Sequence, residues 1–68
     1  MRLAVYLDRE EDGRWIAEVP ELPGVLVYGE SEEDAVSKVK ALSLRVLAVR
    51  IEHGESIPEM DLLFSVSP

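Results

Sequence analysis

The residues able to do chemistry in this chain fall into two acidic clusters and one isolated histidine. The first cluster is Asp8-Arg9-Glu10-Glu11-Asp12-Gly13, and the second is Glu30-Ser31-Glu32-Glu33-Asp34. A calcium loop needs oxygen ligands at alternating positions and a later bidentate glutamate, and the first cluster lacks that pattern. A general acid–base pair needs carboxyl groups whose pKa values are pushed apart in a pocket, and no other candidate site residue stands near the second cluster. His53, the single histidine, sits where a cationic ring would complement the negative end of a helix. With no cysteine in the chain, thiolate metal ligands, thiol nucleophiles and disulfides are excluded. The same absence fits a reducing compartment. No glycine-rich phosphate loop is present. The expectation is a non-enzymatic protein without metal or cofactor.

Both clusters have local structural explanations. Asp12-Gly13 is a hairpin signal, since both residues accept positive φ. It joins two alternating runs: Arg2 to Arg9, with Leu3, Val5 and Leu7 on one face, and Arg14 to Val19, with Trp15, Ala17 and Val19 on one face. Trp15 could be a binding hot spot, but its alternating apolar neighbours favour a core role. Pro20 interrupts the second run because proline gives no N–H to a sheet ladder. Leu22-Pro23-Gly24 then reads as a turn, and Val25 to Tyr28 as a third strand. In the second cluster Ser31 is placed to cap a helix, with Asp34 answering in a short capping box. Acidic residues in the first turn also face the positive end of the macrodipole.

The helix is expected from Glu32 to about His53, with a core stripe of Ala35, Val36, Val39, Leu42, Val46 and Val49. Leu44, Leu47 and Ile51 are surplus apolar residues that need a second cover. Gly54 is placed for a left-handed helix end. After a turn at Ile57-Pro58, Met60 to Val66 alternates and reads as a final strand. The fold class is therefore α+β: a three-stranded antiparallel meander, one long helix and a last strand, in a single domain spanning residues 1–68.

Composition narrows the function classes. The chain carries fourteen acidic against seven basic residues, for a formal charge of −7. Such a surface repels phosphate, so direct nucleic-acid binding is not expected. It suits solubility or a basic protein partner. No apolar run is long enough for a membrane span, and the N-terminus lacks signal-peptide character, so a cytoplasmic protein without membrane contact is expected. A domain of 68 residues buries little area: scaling gives a folded surface of roughly 4,300 Å² against roughly 11,000 Å² unfolded. Oligomerisation or a partner is the support left open.

Taken together, these motifs resemble the HicB-like antitoxin family. The matching residues are Asp12, Gly13, Trp15 and Ala17; Pro20, Leu22, Pro23 and Gly24 in a P-x-L-P-G element; Gly29, Glu33 and Ala35 at the helix start; and Gly54, Ile57, Pro58 and Glu59 in the later turn. The resemblance implies a β-β-β-α-β, partial RNase H-like fold. It also implies a non-catalytic role, binding and masking a small basic HicA-like mRNA interferase toxin. HicB antitoxins commonly carry a C-terminal DNA-binding domain. This sequence ends at Pro68 without one, so operator binding is not expected of it. Val25 stands where the family often has cysteine. On this reading the sheet face opposite the helix would carry Ala4, Tyr6, Ile16, Leu26 and Tyr28, with Tyr6, Glu18 and Tyr28 as partner contacts. A structural or regulatory homo-oligomer without a toxin is the alternative, and self-association is expected under either reading.

Overall fold

The computed structural model describes residues 2–67. It contains strands β1 (Tyr6–Arg9), β2 (Trp15–Glu18) and β3 (Leu26–Gly29), a long helix α1 (Glu32–Glu52) and a single-turn helix α2 (Pro58–Asp61). The strands form an antiparallel sheet in the order β1-β2-β3. The first two are shorter than the alternation suggests, and the third is shifted one residue towards the helix. Leu3 and Val5 precede β1 but still pack against the core.

The hairpin closes differently from a two-residue turn. The Gly13 N–H donates to the Glu10 carbonyl at 2.9 Å, and the Glu10 N–H to the Arg14 carbonyl at 2.7 Å. Only Gly13 takes positive φ, at 93°. Asp12 stays in ordinary backbone space and uses its carboxylate instead, accepting from the Arg14 N–H at 3.0 Å. The longer loop with glycine at its last position preserves the strand register.

Between β2 and β3 the chain folds into two successive turns. The Leu22 N–H donates to the Val19 carbonyl and the Val25 N–H to the Leu22 carbonyl, while Val19 N–H reaches the Val25 carbonyl at 3.1 Å. Pro20 and Pro23 lie outside on these turns, and Leu22 points inward, almost fully buried. The P-x-L-P-G element is thus a plug: prolines shape the loop and leucine fills the core.

Ser31 caps α1 by accepting from the Asp34 N–H at 3.0 Å. Asp34 answers one residue further back than a capping box predicts, accepting from the Glu30 N–H at 3.0 Å. At the other end, Gly54 N–H donates to the Ile51 carbonyl and Glu55 N–H to the Arg50 carbonyl, the two bonds of a Schellman motif with His53 as C-cap.

The buried row of α1 runs Ala35, Val39, Ser43, Leu47, a strict four-residue step. This corrects two sequence expectations. Leu47 belongs to the core, and Val49, read as core, is about half exposed. The physical reason is Ser43. Its hydroxyl donates to the Val39 carbonyl at 2.7 Å, so a small polar residue is satisfied within its own helix and occupies a core position that hydropathy alone skips.

The expected final strand is also corrected. Pro58 opens α2 at its first position, where its missing N–H costs no helical bond. Met60 and Asp61 are helical, and residues 62–66 follow without strand pairing. Ile57 and Met60 pack on the core, but Leu62, Leu63, Phe64 and Val66 are exposed.

One contact joins helix to sheet most tightly. A Cβ on Gly29 would lie 2.4 Å from the Ala35 backbone nitrogen, and Ala35 is fully buried. Backbone cannot yield as a flexible side chain would, so Gly29→Ala should lower stability by about 1–3 kcal/mol, the usual cost of overpacking. Denaturant unfolding checks this, with Gly24→Ala as the control, since only open space surrounds that position and its penalty is confined to backbone conformation.

Candidate functional site

One carboxylate of each acidic cluster is engaged in local structure. Asp12 holds Arg14 twice, through the backbone bond and through Oδ2 to Nε at 2.8 Å. Asp34 holds the Glu30 N–H and pairs with Lys38 at 3.0 Å, one turn along the helix. The Arg14 backbone donor lowers the Asp12 pKa, assisted by the guanidinium; the Glu30 backbone donor lowers that of Asp34, assisted by Lys38. Hydrogen bonds to the charged form are what favour ionisation in each case. No group of three or more potential metal ligands occurs among the described residues.

The sheet has two unlike faces. Register places Leu7, Ala17 and Val27 in one row, with Arg9, Trp15 and Gly29 in the next, both facing α1. The opposite face carries the rows Tyr6–Glu18–Leu26 and Asp8–Ile16–Tyr28. No described element covers this second face, so the tyrosines stay open, Tyr6 at 60% exposure and Tyr28 at 43%. Trp15 lies on the helix side, half-buried against the core, with the Arg9 guanidinium 5.8 Å from its ring.

The three contact candidates from sequence therefore share a face. Tyr6 stands directly opposite Glu18, and Tyr28 stands in the adjacent row, across from Ile16. Sequence reading missed Arg14. Its guanidinium, paired with Asp12, lies 4.4 Å from the Tyr28 ring centroid, a cation–π distance. Asp8, which alternates with Ala4 and Tyr6, also belongs to this face, where it stands across from Ile16.

The remaining motif residues act on shape. Gly13, Gly24 and Gly54 all take positive φ at turns. Gly29 and Ala35 meet at the helix start. Leu22 plugs the core, with Pro20, Pro23 and Pro58 at chain reversals.

The chain is similar to a UPF0150 protein of Thermoplasma acidophilum, at 29% identity over 85% of this chain and 84% of the relative. It is also similar to a UPF0150 protein of Archaeoglobus fulgidus, at 32% identity over 84% of this chain and 86% of the relative. This chain belongs to the UPF0150 family. No family model matches it, and no solved structure does. In this UPF0150 member no helix among the described residues is long and apolar enough to cross a membrane.

The electrostatics give a pH prediction. Asp34 titrates at its ordinary value when unfolded and lower when folded. Its contribution is therefore complete above about pH 4 and is lost as pH falls through the lowered folded value. Asp34→Asn should lower the melting temperature at pH 7 and converge with the parent chain near pH 2, measured by circular dichroism.

Proposed function

We propose that this UPF0150 protein is a HicB-like, antitoxin-type binding domain that masks a small basic HicA-like RNase toxin without doing chemistry itself. The observation that carries this reading is the uncovered sheet face. Two tyrosines and two branched aliphatics supply contact area, and tyrosine is enriched where interfaces bury an apolar body with a polar tip. Asp8 and Glu18 add negative charge among them, suited to a basic partner approached under electrostatic attraction. The HicB-like motifs support the same reading, since they account for the turns and the helix start on which this sheet is built. The setting proposed is cytoplasmic.

Self-association without a toxin has its own support. Leu44, Val49 and Ile51 on α1, with residues 62–66, leave apolar surface exposed away from the tyrosine face. Self-association and toxin masking use different surfaces and are compatible.

The test is co-expression with a small basic HicA-like protein, sought among the products of the adjacent genes, followed by affinity capture and growth rescue. Tyr6→Ala and Tyr28→Ala should each weaken capture about tenfold or more, a loss of about 1.4 kcal/mol or greater. Tyr6→Ala should change thermal stability little, since that ring is 60% exposed, and Tyr28→Ala should lower it only modestly through loss of the Arg14 contact. A neighbouring toxin that is neither captured nor neutralised would sink the antitoxin reading.

A further inference from the structure

Helix α1 carries apolar residues on two sides. Ala35, Val39, Ser43 and Leu47 are buried against its own sheet. A second line, Ser37, Ala41, Leu44, Ala48 and Ile51, runs in alternating four- and three-residue steps. All five residues are exposed, Leu44 at 63% and Ile51 at 47%. At about 3.6 residues per turn this line lies roughly 140° round the helix from the buried row. Alternating steps of four and three are the spacing of a coiled-coil seam, which holds one line of side chains against a second helix.

The order of side chains along the line is self-complementary. Set a second copy of the helix antiparallel, with Val46 of each copy level with the two-fold axis. Ala41 then faces the second copy's Ile51, Leu44 faces its Ala48, and the same two pairs recur in reverse. Each layer holds one large and one small side chain, the alternation by which packed layers interdigitate. A parallel pair would instead stack Leu44 on Leu44 and Ala48 on Ala48, and would bring Lys40 beside Arg45.

Charge also favours the antiparallel arrangement. It sets Lys38 level with the second copy's Glu52, twice, and Lys40 near its Glu55; all four side chains are exposed. Arg45 meets its own copy near the axis, a like-charged pair left in solvent, where such interactions are weak. Two heptads are few for free peptides, but α1 is already folded on its sheet, so association bears no cost of helix nucleation.

We propose that a second copy of this chain docks on this face, forming an antiparallel helix pair through Ala41, Leu44, Ala48 and Ile51 about a two-fold axis. The proposal rests on the self-association reading and gives it a surface. The tyrosine face of each copy stays free, so toxin masking stands or falls separately.

Light scattering on the full chain gives the mass. Single introduced cysteines, unique because the chain has none, give the direction. Expected is a dimer that Leu44→Glu weakens about tenfold or more while the helical dichroism is kept, since Leu44 is exposed in its own chain. Glu52→Lys should weaken it too, and adding Lys38→Glu to that variant should restore it. Arg45→Cys should link to its own copy through a short bismaleimide. Ile51→Cys should not, since its two copies lie about 15 Å apart along the helix axis. A monomer at tens of micromolar would end both this proposal and the self-association reading. A dimer indifferent to Leu44→Glu, or one in which Ile51→Cys links to itself and Arg45→Cys does not, would overturn the helix pair alone.

Discussion

The structure depends on how closely the end of β3 approaches the first turn of α1. Only glycine at position 29 lets the Ala35 backbone come this near, and only a small residue at 35 fits there fully buried. Ser31 and Asp34 clamp the intervening turn from both sides. Helix direction is set at that point. From Ala35 onward the four-residue row through Val39, Ser43 and Leu47 follows, and the core of Ala17, Val19, Leu22 and Val25 closes under it.

The same constraint determines what stays uncovered. A single helix started over β3 reaches β2 and leaves β1 at the margin. Nothing described covers the second face of the sheet, where Tyr6, Glu18 and Tyr28 are exposed. The proposed contact surface is therefore a consequence of a one-sided fold: the core occupies one face of the sheet, and the other face is exposed. Arg14 shows the economy of this plan, since one side chain closes the hairpin through Asp12 and meets Tyr28 on the open face.

Strand order, the hairpin, the capped helix and its glycine end were legible in the sequence because each has a short-range cause: alternation, turn chemistry, a capping side chain. The open face was legible too, since period two assigns sides without knowledge of packing. Three features were not. Ser43 in the core is invisible to hydropathy because its bond to Val39 lies within the helix. Arg14 over Tyr28 depends on cross-strand register. The helical turn opened by Pro58 replaces the expected strand, with the Leu63 and Phe64 N–H groups donating to the Met60 and Asp61 carbonyls, an outcome that alternation from Met60 to Val66 hides.

The central claim is that the tyrosine face, opposite the core, is where this UPF0150 protein meets a partner. Aromatic carbon–proton correlation spectra test it most directly, recorded on the labelled chain with and without a small basic HicA-like protein. Both tyrosines should shift or broaden on binding while the Trp15 indole, on the helix side, keeps its position. Binding that moves Trp15 and leaves Tyr6 and Tyr28 unchanged would contradict the account.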